Sequence, residues 1–197
     1  TADGSTVAYV MDQDTATVLE LYTVPITGGA TIKLSGPLVS GGDVFGIALP
    51  LGPLDGNRMT FRADKEVDGR FELFSVPITG GTVTKLNATP VTGGNVTLQG
   101  SAIVKSRVIY VADQDTDEQF EVYSVPAAGG TRVKVIGTMV ANGDYQGLGY
   151  DSEKIAVRAD KDTDEVLELY GERVAGGLPL KLNAPLTAGG DVTDWSF

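Results

Sequence analysis

Cysteine and histidine are both absent from this 197-residue chain. Without cysteine there is no disulfide framework and no thiolate chemistry. Without histidine the commonest general base, the usual nucleophilic triads and most zinc or iron sites are excluded together. Basic residues are scarce, 15 against 26 acidic, which sets the formal charge at −11 and removes the Lys/Arg field that nucleic acid needs. No apolar run approaches the roughly 18 residues of a membrane helix. No stretch holds a 3.6-residue apolar period, so almost no helix is predicted. No signal segment or initiator Met precedes Thr1-Ala2-Asp3-Gly4, and the chain reads as a processed product or an excerpt of something longer.

What is present is a repeat. The third copy is the clearest: Val108-Ile109-Tyr110-Val111-Ala112-Asp113, a polar turn, Glu121-Val122-Tyr123-Ser124-Val125-Pro126, then Gly129-Gly130. The first Asp recurs at Asp12, Asp64, Asp113 and Asp160, in steps of 52, 49 and 47 residues. Equal steps of that size mark a propeller or a solenoid. A hydrophobic content of 42% in one domain's length is enough for a sizeable core.

Each unit reads as four short strands. In the second, Val44–Leu49 leads through Pro53-Leu54-Asp55-Gly56 to Arg58–Ala63. The acidic turn Asp64–Gly69 follows, then Phe71–Ile78, the Gly80-Gly81 turn and Val83–Leu86. Strands rich in Val, Ile, Thr, Tyr and Phe between Gly, Pro and Asp clusters are the all-β signature. Their imperfect alternation suits sheets buried on both faces, as propeller blades are. The expected architecture is an all-β propeller of four repeats, each a four-stranded antiparallel blade, with half or a segment of a larger propeller as the alternative. The units run 1–42, 43–94, 95–143 and 144–190, with 191–197 supplying a strand that completes the first unit or the next molecule. The first unit lacks its innermost strand, and Asp191-Val192-Thr193-Asp194-Trp195 matches the start of a unit, like Asp43-Val44-Phe45-Gly46. Closing on the first blade hides two strand edges; pairing with another chain gives head-to-tail self-association.

The phrase resembles the PD40 (WD40-like) propeller repeats of TolB-type and large secreted bacterial repeat proteins. Tyr9, Phe61 and Tyr110 hold its second-strand aromatic position, where the fourth unit has Val157. Glu20-Leu21-Tyr22, Glu72-Leu73-Phe74, Glu121-Val122-Tyr123 and Glu168-Leu169-Tyr170 hold its Glu-aliphatic-aromatic element. The resemblance covers nearly the whole chain and implies the fold; propellers host enzymes, scaffolds and binding platforms alike. The turn departs from that pattern. PD40 turns resemble Ser-Asp-Arg-x-Gly-Asn, whereas 17 of the 26 acidic residues here gather in the four turns.

Numbered from the first Asp, positions 1, 3, 5 and 9 are Asp64, Glu66, Asp68, Glu72 in the second unit. They are Asp113, Asp115, Asp117, Glu121 in the third and Asp160, Asp162, Asp164, Glu168 in the fourth. The first unit has Asp12, Asp14 and Glu20, with Ala16 at position 5. Alternating oxygen ligands on a tight loop, with Gly69 at position 6, suit Ca²⁺. The spacing is not that of an EF-hand. It is closer to the calcium hairpins of integrin-type propellers, a resemblance that adds the carbonyls of Arg70, Gln119 and Val166. Carboxylates about 5 Å apart repel by roughly 3 kcal/mol at an effective dielectric near 20, which favours a cation. Three readings stay open: calcium, solvated Asx turns neutralised by Lys65, Arg70 and Lys161, and a position-9 Glu that bonds backbone within the blade.

The Gly-Gly pairs lack a following Lys-Ser/Thr and are predicted hairpin turns, not phosphate loops. Asn87-Ala88-Thr89 and Asn95-Val96-Thr97 match the glycosylation pattern in what read as exposed turns. Trp195 is expected to pack in a blade. No residue is assigned a catalytic role. The expectation is a non-catalytic, calcium-stabilised module at the cell surface or outside the cell, serving assembly or recognition of a protein or glycan. The alternatives are a carbohydrate hydrolase or lyase and a TolB-like periplasmic scaffold.

Overall fold

Each acidic turn joins two six-residue antiparallel strands, and this hairpin is the unit from which the molecule is built. The computed structural model describes residues 4–48 and 58–196, so Leu49 and the expected turn at 53–56 lie outside the described residues. The first unit holds β1 (Thr6–Met11), β2 (Glu20–Pro25) and β3 (Ile32–Lys33). The second holds β4 (Val44–Ala48), β5 (Arg58–Ala63), β6 (Glu72–Pro77) and β7 (Thr84–Lys85). The third holds β8 (Val96–Val104), β9 (Arg107–Ala112), β10 (Glu121–Pro126) and β11 (Val133–Lys134). The fourth holds β12 (Tyr145–Tyr150), β13 (Lys154–Ala159), β14 (Glu168–Arg173) and β15 (Leu180–Lys181). Every sheet runs in sequence order, three-stranded in the first unit and four-stranded in the others. Among the described residues there is no helix.

The register sets the packing. Tyr9 lies opposite Tyr22, Phe61 opposite Phe74 and Tyr110 opposite Tyr123, and the rings stack with centroids 5.6, 5.5 and 5.3 Å apart. Such cross-strand aromatic pairs add to the area they bury. In the second to fourth sheets this face packs on the preceding unit. The other face, bearing Leu21, Leu73 or Val122, packs on the following one. Three cores result, between the first and second, second and third, and third and fourth sheets.

A second device laces each unit to the next. Leu19, Phe71 and Phe120 each donate a backbone N–H to the side chain of Asp43, Asn95 or Asp144, at 2.5, 2.9 and 2.7 Å. The strand begins at the very next residue, with the amides of Val44, Val96 and Tyr145 donating to the carbonyls of Leu19, Phe71 and Phe120 at 2.8–2.9 Å. The lacing recurs at the chain's last segment: Leu167 donates to Asp191 at 2.7 Å, and Val192 donates back to Leu167 at 2.8 Å.

Residues 191–196 nonetheless form no strand, and no core joins the fourth sheet to the first among the described residues. The four sheets make an open row, not the closed four-bladed ring. Trp195, expected within a blade, is half-buried in this unpaired segment.

Candidate functional site

Position 1 of each acidic turn is a backbone anchor. Asp64 Oδ2 accepts from Gly69 N at 2.9 Å, Asp113 Oδ2 from Glu118 N at 3.1 Å and Asp160 Oδ2 from Glu165 N at 3.0 Å. Their Oδ1 atoms accept the amides of Asp43, Asn95 and Asp144, which open the unit's first strand. Among the described residues Asp12 keeps only the first of these bonds, to Thr17 N at 3.1 Å. Position 6 is left-handed in all four units, with φ of 69° at Thr17, 76° at Gly69, 63° at Glu118 and 60° at Glu165. That conformation aims the position-6 amide at the position-1 carboxylate, and it explains the glycine at 69 without a metal.

Positions 3 and 9 meet a cation that the chain itself supplies. The short last strand of every sheet carries a lysine, Lys33, Lys85, Lys134 or Lys181. Lys85 Nζ lies 2.9 Å from Glu72 and 2.7 Å from Glu66. Lys134 lies 2.7 Å from Glu121 and 2.9 Å from Asp115, and Lys181 lies 2.6 Å from Glu168 and 3.0 Å from Asp162. In the first unit Lys33 pairs with Glu20 and, at 3.5 Å, with Asp14. The position-9 glutamates are buried, and Glu20, Glu121 and Glu168 also accept from the hydroxyls of Tyr22, Tyr123 and Tyr170 at 2.8, 2.7 and 2.9 Å.

Position 5 turns elsewhere. Asp68 and Asp117 lie against Gly41 and Gly93, where a Cβ would come within 2.7 and 2.4 Å of their carboxylates. Asp164 accepts from Asn142 Nδ2 at 3.5 Å. The residues proposed as one calcium cage thus point three ways, to backbone, to lysine and to a neighbouring turn. Among the described residues no three acidic groups gather around a point. As arranged, they do not fit a calcium ion, which needs six to eight convergent oxygens.

The predicted local neutralisers divide. Lys161 meets Asp162 at 2.9 Å and Arg70 meets Glu72 at 3.6 Å, while Lys65 donates to the Pro37 carbonyl. The lysines at 33, 85, 134 and 181 were missed by sequence reasoning. Their signal was available as one basic residue, 13 positions after each position-9 glutamate, in every unit.

The remaining sequence motifs are structural. Gly28, Gly80, Gly129 and Gly176 donate to the carbonyls of Pro25, Pro77, Pro126 and Arg173, closing hairpin turns. Asn87 is not exposed as expected. Its side chain is buried, accepting from Leu73 N at 2.8 Å and donating to the Ala88 carbonyl at 2.6 Å, so its amide is not presented for glycosylation.

What is left open lies around the first strands and the residues packed on them. Phe45 is 44% exposed and meets Phe71 edge-on with centroids 4.7 Å apart. Arg62 lies 4.0 Å over the Phe71 ring and donates to the Val96 carbonyl at 2.6 Å. One unit on, Thr97, Val111, Phe120, Tyr145 and Gln146 line a recess of about 260 Å³.

No family model and no curated protein sequence matches the chain. Among solved structures, a TolB from Agrobacterium tumefaciens aligns over 91% of this chain, at 15% identity and a TM-score of 0.53. The fold is TolB-like. Oligopeptidase B from Leishmania major aligns over 92% of this chain at 9% identity and a TM-score of 0.55. This chain covers 61% of the TolB chain and 26% of the oligopeptidase. At such identities the likeness is one of fold: consecutive antiparallel sheets of the TolB propeller type, in a chain that spans about three fifths of the TolB structure's length.

Proposed function

We propose that this TolB-like chain is a non-catalytic, protein-binding propeller segment that works in the periplasm. The observation that carries the reading is the strip formed by Phe45, Phe71 and Arg62 beside the recess at Phe120, Tyr145 and Gln146. Aromatic residues and arginine are the side chains most enriched where proteins bind one another. Phe45 and Tyr145 sit on first strands, and the backbones of Phe71 and Phe120 are held by the lacing that joins units, so the strip is preorganised. The TolB-like fold supports the periplasm over an extracellular site.

The chemistry of the acidic turns supports the absence of catalysis. A carbohydrate hydrolase needs two carboxyls in unlike environments at a defined separation. Here the same carboxylates recur in every unit and are engaged by lysines and backbone amides. The test pairs two measurements. Immobilised protein should retain a partner from a cell-envelope extract that Phe45→Asp fails to retain, and panels of glycans and peptides should show no turnover. Equal retention by the Phe45→Asp variant sinks the binding strip; turnover of any substrate sinks the non-catalytic reading.

A further inference from the structure

Two neighbouring seams of the row are built alike and differ around one ring. Between the second and third sheets, Arg62 lies over the Phe71 ring and donates to the Val96 carbonyl at 2.6 Å, while Phe45 meets the edge of the same ring. The strand registers place Val111 and Arg158 where Arg62 stands, and Tyr145 where Val96 stands. Arg158 repeats the arginine bond, to the Thr193 carbonyl at 2.6 Å. Val111 has no donor with which to do so. Between the third and fourth sheets the ring is kept as Phe120, whose backbone bonds Asp144 as Phe71 bonds Asn95, but Thr97 replaces Phe45.

Phe120 thus loses both side chains that cover Phe71, and the recess of about 260 Å³ opens beside it, lined by Thr97, Val111, Phe120, Tyr145 and Gln146. That volume is below the roughly 300 Å³ at which small-molecule pockets begin, and it suits one inserted side chain. Among the described residues no side chain donates to the Tyr145 carbonyl. The charge shifts the same way. Asn95 and Arg62 of one seam are Asp144 and Val111 in the other, one negative charge gained and one positive lost. Burial, then the carboxylates of Asp160, Asp164 and Asp113, pushes the Asp144 carboxyl up against the lowering bond from Phe120 N. A cation in the recess relieves that crowding. In the second unit Arg62 supplies such a charge beside Asp64, the counterpart of Asp113.

We propose that this recess takes an arginine side chain of a partner protein, its guanidinium over the Phe120 ring and donating to the Tyr145 carbonyl. The occupant is arginine because the chain itself places one in the equivalent seam, over the equivalent ring and on the equivalent carbonyl. A planar guanidinium stacks on an aromatic face and donates sideways at the same time, which a compact ammonium does not. The first unit also has a valine at this place, Val10, but Leu19 there offers no ring. The inference rests on the protein-binding reading of the same strip and names the residue that a partner brings to it.

Nα-acetyl-arginine amide is the probe, and the neutral isostere Nα-acetyl-citrulline amide is its control. In NMR titrations of the whole chain, the arginine probe should shift the backbone amides of Thr97, Phe120, Tyr145 and Gln146 to saturation. The citrulline probe should bind about tenfold more weakly, as loss of a cation–π contact requires. Val111→Arg copies Arg62, fills the recess from within and should abolish the shifts. Phe120→Leu removes the ring while keeping the residue that the first and fourth units hold there, Leu19 and Leu167, and should weaken the arginine probe as much as citrulline does. Equal binding of the two probes, shifts that survive Val111→Arg, or no shifts up to the solubility of the arginine probe overturns the proposal. The two readings fail separately. An envelope partner retained equally by wild type and Val111→Arg keeps the strip and removes the arginine. Selective arginine binding with no partner retained keeps the recess as an arginine site and removes the strip.

Discussion

Lys134 places its ammonium 2.7 Å from Glu121 Oε2, a carboxylate buried beneath the third sheet's turn, and the same oxygen accepts from the Tyr123 hydroxyl at 2.7 Å. Lysine and glutamate meet because Lys134 lies opposite Tyr123, two residues along the strand from Glu121. Removing one member of a buried pair leaves the other charged and unpaired. Lys134→Met should cost about 3 kcal/mol, or about 10 °C in melting temperature for a chain of this size. The double variant Lys134→Met/Glu121→Leu should recover most of that loss, since an apolar pair of similar volume does as well as a buried ion pair. Urea denaturation of the four proteins measures the coupling. A single variant as stable as wild type defeats the assignment.

The left-handed turn position makes a prediction of opposite sign at two sites. Glu118 and Glu165 adopt φ of 63° and 60° where the second unit has Gly69. Glu118→Gly should stabilise the protein by up to about 1 kcal/mol, because glycine alone takes this conformation without a Cβ penalty. Gly69→Ala should destabilise it by a similar amount. Equal thermal shifts of the same sign would show that turn geometry is not what decides residue choice here.

Much of this was readable before any coordinates. The interval between Asp12, Asp64, Asp113 and Asp160 set the number of units, and the Phe61–Phe74 and Tyr110–Tyr123 pairs follow from strands of equal length about one turn. The second unit's short fourth strand, read as Val83–Leu86, lies within a residue of Thr84–Lys85 at each end. The destination of the carboxylates was not readable. Sequence spacing brings Asp113, Asp115, Asp117 and Glu121 close together, but the left-handed residue at 118 decides where the loop folds. Lys134 arrives from a strand 13 residues further on, a spacing visible only when all four units are aligned. Ring closure was equally hidden, since the curvature of a row of sheets depends on side-chain volumes summed over every seam.

Calcium gives a direct test of the lysine assignment. With each position-3 and position-9 pair neutralised by its own lysine, added calcium should leave the wild-type melting temperature where EDTA leaves it. A rise of several degrees on adding calcium would mean that the ion displaces lysine and that the turns close around metal after all.

Acid and alkali should destabilise the protein through the same pairs. Lys161, and then Lys181, hold the Asp162 carboxyl down to about 2. Burial alone would raise Glu168, but Lys181 and Tyr170 outweigh it and hold that group below its ordinary value. Groups depressed on folding stabilise fully above the ordinary carboxylate range of about 4, and that contribution is lost as pH falls toward 2. On the other side, Glu20 raises Lys33 and Glu168 raises Lys181. Burial, then Glu121, raises the Tyr123 hydroxyl. Groups raised on folding stabilise fully below their ordinary values near 10, and that contribution is lost as pH climbs beyond. Melting temperature should therefore hold a plateau from about pH 5 to about pH 10 and fall on both flanks. Lys181→Met should lower the plateau and flatten the acid flank. A melting temperature that climbs below pH 4 contradicts the pairing.

Asp64, Asp113 and Asp160 should matter more than any surface charge, because each carboxylate accepts two backbone amides, one from its own turn and one from the residue that opens the unit's first strand. Asp113 accepts from Asn95 N at 2.6 Å on one oxygen and from Glu118 N at 3.1 Å on the other, and it is buried. Asp113→Ala strips the partner from two amides in a largely dry site, at a cost of about 3 kcal/mol. Asp113→Asn keeps one acceptor and should lose about half as much. Asp12 is the internal control: it is exposed and among the described residues accepts only the Thr17 amide, so Asp12→Ala should cost less than about 1 kcal/mol. Equal losses for Asp12→Ala and Asp113→Ala would show that the amide opening the first strand, which Asp113 holds, carries none of the stability.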